Sequence, residues 1–174
     1  MNNFIPDMYQ KSIYHIDYDK LQEDGIKCIL FDLDNTCVPY KDKVPNKKLC
    51  DLIETLKDMD FKVIIFSNSP RKRIKPFKDK LNIDALASAR KPRKESFLKI
   101  MKLFGYNLSE IAIIGDQLYT DILGGNRVGI KTILVNPMSK DDMIFTKLVF
   151  RPLEKMKFKE LARKNILVKG KYYE

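Results

Sequence analysis

Short apolar runs, separated by longer amphipathic stretches, constrain the fold of this chain more than any other feature. A strand that is covered on one face alternates apolar and polar residues, whereas a strand covered on both faces is apolar along its length. Most runs here are of the second kind, and they predict strands over 27–32, 61–66, 83–89, 110–115 and 131–135. The pattern therefore favours an α/β fold with a doubly wound, Rossmann-like and mostly parallel sheet flanked by helices.

Between these strands, apolar residues recur at the three- and four-residue intervals of an amphipathic helix. This periodicity predicts helices over 46–60, 69–80, 92–104, 120–128, 143–149 and 152–164. The pair Ser69 and Pro70 is typical of a helix N-cap followed by proline at the first helical position. Gly105 is typical of a helix end, because glycine readily adopts the left-handed conformation found there.

Length and composition fit one domain. A chain of 174 residues, 44% of them hydrophobic, can bury one sizeable core, and that fraction excludes a disordered chain. We expect residues 27–174 to form this domain and residues 1–26 to form an N-terminal arm packed on or beside it. No run approaches the roughly 20 apolar residues of a membrane span, and the N-terminus lacks a secretory pattern. The three cysteines cannot all pair with one another, so we expect a reduced, cytoplasmic protein.

Polar residues that carry chemistry follow the predicted strands. In a parallel sheet of this type ligands bind beyond the carboxyl ends of the strands, so the residues there meet at one edge. The side chains that this edge gathers are, in chain order, Asp32, Asp34, Ser67, Asn68, Lys91, Asp116 and Asp121. Carboxylates that meet in one place repel one another unless a cation intervenes, and oxygen ligands favour a hard ion such as Mg²⁺. A lysine and a helix N-terminus beside that ion form a site for a phosphorylated substrate.

This set of side chains limits the reaction to a few possibilities. An aspartate such as Asp32 can attack a phosphoryl group and form an aspartyl-phosphate. A second carboxylate two residues further on, that of Asp34, can protonate the leaving oxygen and then activate water. Histidine is not required, and the single histidine of the chain, His15, lies in the N-terminal arm.

The order of these residues resembles the four motifs of the haloacid dehalogenase-like (HAD-like) phosphatases. The first motif is DxDx[TV] after a strand, and Asp32, Asp34 and Thr36 match it. The second is a Ser or Thr after an apolar strand, the third is a Lys and the fourth resembles GDxxxxD. The residues that match these three motifs are Ser67, Lys91, Asp116 and Asp121. All four motifs occur in order within residues 28–135, and the resemblance implies an HAD-like fold and phosphatase activity.

The resemblance implies roles for the four aspartates. Asp32 would be the nucleophile and a Mg²⁺ ligand. Asp34 would be the general acid and base, and its backbone carbonyl would bind the metal. Asp116 would bind Mg²⁺, and Asp121 would bind or support it.

The resemblance also implies how the phosphoryl group is held. Ser67 and the backbone N–H of Asn68 would bind the phosphoryl group during its transfer. Lys91 would hold the phosphate and the nucleophile together electrostatically. Catalysis would then consist mainly of positioning and charge stabilisation.

The spacing of the motifs resembles the capless, type IIIA branch of this superfamily. The stretches 34–67 and 67–91 are each used up by a few elements and leave no room for a cap domain. Within that branch the chain is similar to the YqeG-like group, which is related to the phosphatidylglycerophosphate phosphatases. The segments that carry this similarity are FIPDMYQKSIYHID, DLDNT with Pro39, SNSPRKR, ARKP and GDQLYTDILGGNRVG. An open site of this kind implies a large substrate, or a cover supplied by a partner or a membrane.

Positive charge is concentrated around the second and third motifs. Residues 70–103 contain twelve of the 33 Lys and Arg residues but three acidic residues, in a chain of net charge +10. A basic rim attracts anionic substrates and anionic phospholipid, the latter by about 1 kcal/mol per basic residue near the surface. The same charges attract an RNA backbone, but Phe77 and Phe97 are the aromatic residues of this stretch and give little support for base stacking. The basic, amphipathic 152–164 stretch fits either a docked helix or a helix lying on a membrane.

Three functions remain open at this stage. The first is a Mg²⁺-dependent phosphatase that converts phosphatidylglycerophosphate to phosphatidylglycerol at the inner face of the membrane. The second is a phosphatase for a soluble sugar, nucleotide or polynucleotide phosphate. The third is an RNA- or ribosome-binding protein that uses the basic face. A response-regulator receiver is disfavoured because its acidic residues and lysine occur in a different order. The sequence does not fix the oligomeric state.

Overall fold

Strands and helices alternate along the chain in the computed structural model, which describes residues 3–143 and 146–174. Within those residues, strands β1 to β6 span Met8–Gln10, Cys28–Phe31, Lys62–Phe66, Asp84–Leu86, Ile111–Gly115 and Lys131–Val135. Helices α1 to α6 span Tyr18–Glu23, Lys47–Asp58, Arg71–Leu81, Lys94–Phe104, Leu123–Val128 and Arg151–Arg163. The shorter elements are 3₁₀ turns at Ile13–His15 and Leu108–Glu110 and π-helical turns at Leu118–Ile122 and Thr146–Phe150.

The six strands of the described residues form one sheet in the order β1-β6-β5-β2-β3-β4, and every neighbouring pair is parallel. The order reverses at β2, which lies between β3 and β5. Phe31 of β2 is in register with Ile65 of β3 and with Ile114 of β5. The carboxyl ends of these three strands therefore lie side by side, at the edge where a doubly wound sheet binds ligands. The predicted fold class is confirmed.

Both faces of the sheet are covered, which explains why its central strands are apolar along their length. Alternate residues of a strand point to opposite faces. Ile29 and Phe31 pack into a buried cluster with residues of α2 and α3, whereas Cys28 and Leu30 pack into a second cluster with residues of α4. Full burial of a side chain such as Phe31 contributes about 1.5–3 kcal/mol, so the covered strands supply a large part of the stability.

The helices begin near the predicted residues, with one correction at α3. Asn46 caps α2, because its side chain accepts a 2.9 Å hydrogen bond from the backbone N–H of Leu49. Ser69, however, is not the N-cap of α3. That position is held by Pro70, which makes no capping bond, and Ser69 Oγ donates to Asp34 instead. The predicted cap is therefore absent, because the Ser69 hydroxyl group binds a carboxylate from the loop after β2 instead of the backbone of α3.

The N-terminal arm contributes a strand that the sequence pattern did not indicate. β1 pairs with β6, with Tyr9 opposite Leu134. On its other side Tyr9 exchanges two backbone hydrogen bonds of 2.9 Å with Tyr173, close to the C-terminus. Three residues are too few to display a period, so this strand is defined by its partners rather than by its own sequence. The division into an arm and a domain stays a prediction.

The ligand-binding edge carries no inserted cap domain. Residues 32–91, all of which the structure describes, hold α2, β3, α3, β4 and their connections. After β6 the chain passes over this edge, where Asn35 Nδ2 donates to the carbonyl of Asp141 at 2.6 Å. The helix predicted over 143–149 includes residues 144 and 145, which lie outside the described residues, and the described helical turn begins at Thr146.

Helix length bears on the relation of the chain to membranes. α6 has 13 residues, whereas a helix that crosses a bilayer needs about 20. Across residues 3–143 and 146–174, none of the helices has the length and apolar character that a membrane span requires.

Candidate active site

Three of the predicted aspartates meet at the ligand-binding edge. Asp32 directly follows β2, Asp116 directly follows β5, and Asp121 lies in the π-helical turn Leu118–Ile122. One carboxylate oxygen from each lies within 4.8 Å of the other two, and all three residues are buried. The parallel pairing of β2 and β5 accounts for this, because Asp32 N–H still donates to the Ile114 carbonyl at 2.9 Å and holds both strand ends level.

The turn after β5 brings Asp121 back onto the end of its own strand. The backbone N–H of Gln117 donates to Asp121 Oδ2 at 3.2 Å. A Cβ atom on Gly115 would overlap the carboxyl group of Asp121, so glycine is required at that position. The sequence GDQLYTD therefore folds into a loop that places both of its aspartates on one site.

Lys91 joins two of the three aspartates. Its Nζ donates to Asp32 Oδ1 at 2.8 Å and to Asp121 Oδ1 at 2.6 Å, and 1% of its side chain is exposed. Burial alone would lower the pKa of Lys91, but Asp121 and Asp32 outweigh burial and raise it. The ammonium group therefore stays charged over the physiological pH range and neutralises part of the acidic cluster.

Ser67 and Asn68 follow β3, beside Asp32. The backbone N–H of Ser69 donates to Ser67 Oγ at 3.2 Å, which orients the hydroxyl group. The side chain of Asn68 makes two bonds with the backbone of Lys91: it accepts from the Lys91 N–H at 2.7 Å and donates to the Lys91 carbonyl at 3.1 Å. Asn68 thus fixes the chain at Lys91, a contact that the sequence did not predict.

The carboxylate of Asp34 is held apart from the other three aspartates. It accepts hydrogen bonds from Ser69 Oγ at 2.5 Å and from Arg73 Nη2 at 2.8 Å. Burial raises the pKa of Asp34 and the nearby Asp32 adds to this, although Ser69 and Arg73 oppose it. The structure therefore gathers three of the four predicted carboxylates and pairs the fourth with an arginine. The sequence feature that could have predicted this arginine is its position in the first turn of α3, four residues after Ser69.

An arginine that the sequence analysis missed reaches the acidic cluster from the C-terminal part of the chain. Arg151, the first residue of α6, places Nη2 2.6 Å from Asp116 Oδ2 and Nε 2.8 Å from Asp142 Oδ2. Burial alone would lower the pKa of Arg151, but its bonds to Asp142 and Asp116 raise it. No spacing rule connects residue 151 with residue 116, so only the folded chain reveals this pair.

A second unpredicted residue, Glu154, lies one helical turn after Arg151. It is buried and accepts a 3.1 Å hydrogen bond from the backbone N–H of Tyr119. Burial raises its pKa to about 8, and the charge of Asp116 contributes in the same direction. Its Oε2 also lies 4.0 Å from Arg151 Nη1, so the arginine is shared among Asp116, Asp142 and Glu154.

The acidic cluster has the chemistry of a site for a hard divalent cation. Burial raises the pKa values of Asp116 and Asp121, and the neighbouring charge of Asp32 raises both further. Each of these aspartates forms an ion pair with a basic side chain: Asp116 pairs with Arg151, and Asp121 pairs with Lys91. Buried carboxylates that recruit positive charge and offer oxygen ligands alone fit Mg²⁺ well.

A pocket opens beside this cluster. One wall, which we call the motif wall, is formed by residues of the four predicted motifs, among them Asp32, Asp34, Ser67, Asn68 and Lys91. A second wall, which we call the C-terminal wall, is formed by residues of the segment that follows β6, namely Asp142, Met143, Thr146 and Phe150. The candidate site is therefore bounded by the sheet edge and by the C-terminal segment.

Comparisons with known proteins agree on the family. A model of the HAD-hydrolase-like family matches residues 88–142. The chain is 38% identical to the probable phosphatase YqeG of Bacillus subtilis over 161 residues. The alignment covers 92% of this chain and 93% of that protein. The chain is 28% identical to phosphatidylglycerophosphate phosphatase 1 of Arabidopsis thaliana over 93% of its own length, and it spans about half the length (49%) of that relative.

A solved structure shares the fold. The cobalt-bound deoxy-D-mannose-octulosonate 8-phosphate phosphatase of Haemophilus influenzae superposes with a TM-score of 0.52, over 85% of this chain and 95% of that one, at 16% identity. Together with the identity to the Bacillus protein over nearly the whole chain, these findings show that the chain is an enzyme of the HAD-like phosphatase family, in its capless YqeG-like group.

Proposed function

We propose that this phosphatase hydrolyses phosphatidylglycerophosphate to phosphatidylglycerol and phosphate, with Mg²⁺ and through an aspartyl-phosphate, at a membrane surface. The observation that carries the mechanism is the position of Lys91, which binds Asp32 and Asp121 inside the pocket that Asp34 and Ser67 also line. A phosphoryl group in that pocket would meet a nucleophile, a cation and a proton donor at once.

In the first step of the proposed reaction, a carboxylate oxygen of Asp32 attacks phosphorus. A new O–P bond forms while the bond between phosphorus and the leaving oxygen breaks, and the carboxylic acid of Asp34 gives its proton to that oxygen. The raised pKa of Asp34 supports this role, because an acid must hold a proton before it can donate one. Ser67 and Lys91 would bind the phosphoryl oxygens as charge accumulates on them.

In the second step, water releases the phosphate. The Asp34 carboxylate takes a proton from water, the water oxygen bonds to phosphorus, and the O–P bond to Asp32 breaks. Inorganic phosphate leaves, Asp32 is restored as a carboxylate and Asp34 holds a proton again. The contact with Arg73 supports this alternation, because a guanidinium group beside Asp34 stabilises its carboxylate form between the two steps.

The residues that would hold Mg²⁺ are Asp32, Asp116 and Asp121, with the backbone carbonyl of Asp34. When bound, the ion supplies positive charge that stabilises the phosphoryl oxygens and lets them approach a carboxylate nucleophile. Lys91, which contacts Asp32 at 2.8 Å, would align the nucleophile.

Two observations support a phospholipid substrate. The Arabidopsis relative, which is named for phosphatidylglycerophosphate, matches 93% of this chain. Residues 32–91 contain no inserted cap, and basic side chains at or next to the first residues of α3 and α4, namely Arg71, Lys72 and Arg93, are exposed. A headgroup that stays attached to a bilayer requires an accessible site of this kind.

The test is phosphate release from phosphatidylglycerophosphate in mixed micelles, beside a panel of soluble sugar, nucleotide and polynucleotide phosphates. We expect lipid turnover with Mg²⁺, loss of turnover in EDTA, and a fall of at least about 10³-fold in Asp32→Asn, because the nucleophile is removed. Asp51→Asn, an exposed aspartate on α2, is the matched control and should retain full activity.

Each alternative has its own outcome in this test. Turnover confined to soluble esters would overturn the lipid substrate and retain the mechanism. Full activity of Asp32→Asn would overturn the aspartyl-phosphate. Absence of turnover on every ester, together with salt-sensitive RNA binding, would favour the nucleic-acid function instead.

A further inference from the structure

The helix that borders the active site carries an exposed apolar stripe. The π-helical turn Thr146–Phe150 runs directly into α6, and its exposed residues include Leu148 (70% exposed) and Met156 (69% exposed). Val149 and Leu153 are also exposed, more than a third of each. Val149, Leu153 and Met156 follow one another at intervals of four and three positions, and Leu148 precedes Met156 by eight, so they lie on one side of the helix. Among the described residues, this is the densest run of exposed large apolar side chains.

The other side of the same helix belongs to the active site. Thr146 and Phe150 line the pocket, and Arg151 binds Asp116. The apolar stripe is therefore the outer surface of the pocket wall. A contact made by the stripe would place its partner within one helix diameter, about 10 Å, of the acidic cluster.

Positive charge accompanies the stripe. Lys155 and Lys159 are exposed on the same helix, and Arg71, Lys72 and Arg93 are exposed at or next to the first residues of α3 and α4. Exposed leucine and methionine next to lysine is the pattern of a helix that lies in a lipid headgroup layer, with apolar side chains inserted and cations on the phosphates. Protein interfaces, by contrast, are depleted in lysine.

We propose that the outer face of residues 148–159 binds an anionic phospholipid bilayer and holds the pocket beside the headgroups. This deepens the proposed function and rests on it for the identity of the substrate, but the contact itself requires no turnover. Lys155 and Lys159 would bind lipid phosphates while Leu148 and Met156 enter the apolar boundary of the bilayer.

The test is co-sedimentation with vesicles of phosphatidylglycerol and phosphatidylcholine, which contain no substrate. The double variant Leu148→Gln/Met156→Gln should bind at least about tenfold more weakly than the wild type, because two apolar side chains lose their burial. Leu103→Gln is the matched control, since Leu103 is 60% exposed but lies on α4. Its binding should equal that of the wild type. Both variants should hydrolyse a soluble ester such as p-nitrophenyl phosphate at the wild-type rate.

Further measurements test the role of charge and the oligomeric state. Lys155→Glu/Lys159→Glu should also weaken binding to anionic vesicles, and neutral phosphatidylcholine vesicles should bind poorly. Equal binding by wild type and Leu148→Gln/Met156→Gln would overturn the proposal, and so would absence of binding by the wild type. A wild-type dimer in light scattering that this double variant converts to a monomer would assign the stripe to a second copy of the chain. Vesicle binding without hydrolysis of phosphatidylglycerophosphate would overturn the substrate and leave the membrane contact standing.

Discussion

The two walls of the active-site pocket differ in how they are built. The motif wall consists of residues at strand ends or in the loops that follow them, such as Asp32 and Lys91, which are almost fully buried and bonded to one another. The C-terminal wall belongs to the segment that continues into α6, which contributes Arg151 to Asp116 and carries the exposed apolar stripe, and 18% of the Arg151 side chain is exposed. The groups placed for phosphoryl chemistry are therefore fixed by the sheet, whereas part of the charge balance comes from an element that follows the sheet in the sequence.

The largest effect should come from removing the cation of the motif wall. Lys91→Met leaves Asp32 and Asp121 without their shared partner, and breaking a buried ion pair costs about 3–5 kcal/mol. We expect a loss of this size in the free energy of unfolding at pH 8 in EDTA, measured by urea denaturation. Turnover should fall by about 10³-fold, because the phosphoryl group loses a charged partner.

The control for this variant is Lys47→Met, which removes a lysine whose side chain is 88% exposed and paired with Asp51. An exposed pair contributes about 0–1 kcal/mol, so stability and turnover should stay close to those of the wild type. Similar losses in both lysine variants would contradict the distinction between the buried wall and the surface.

A smaller effect is expected from the cation of the C-terminal wall. Arg151→Met leaves Asp116 unpaired, but the arginine is partly exposed, so we expect a loss of about 2 kcal/mol in EDTA. Mg²⁺ should stabilise this variant more than the wild type, because the ion supplies the charge that Asp116 lacks. Thermal unfolding with and without Mg²⁺ measures both quantities. Arg163→Met, at the exposed end of α6, is the control. If Mg²⁺ does not reduce the loss of stability in Arg151→Met, Arg151 does not balance the charge of the proposed metal site.

The last effect concerns Glu154 and depends on pH. Its pKa is raised to about 8 in the folded protein from an ordinary value near 4.5. Between these values the unfolded chain releases a proton that the folded chain keeps, so the free energy of unfolding falls as pH rises through this range. Glu154→Gln keeps an acceptor for the Tyr119 N–H and removes the ionisation. The variant should therefore match the wild type near pH 5 and exceed it at pH 9 in urea denaturation. An unchanged difference across this range would show that Glu154 does not titrate there.

The motif wall could be predicted because local sequence specifies it. Asp32 and Asp116 directly follow apolar strands, and parallel strands bring their carboxyl ends together. The C-terminal wall could not be predicted in this way, since Arg151 and Asp116 are 35 residues apart and lie on elements whose packing has no sequence period. Ser69 shows the same limit of local sequence patterns. The pattern predicts a helix cap, but in the folded chain the Ser69 hydroxyl group donates to Asp34, which lies in the loop after β2.

The sequence by itself determined the α/β fold, the HAD-like motifs and the family, because strand burial and residue order are local properties of the chain. The tertiary structure decided which charges balance one another: Arg73 with Asp34, Arg151 with Asp116, and Lys91 between Asp32 and Asp121. It also decided that an apolar helix face forms the outside of the pocket. These features depend on distances between side chains that are remote in the sequence, and such distances exist only after the sheet and its helices have packed.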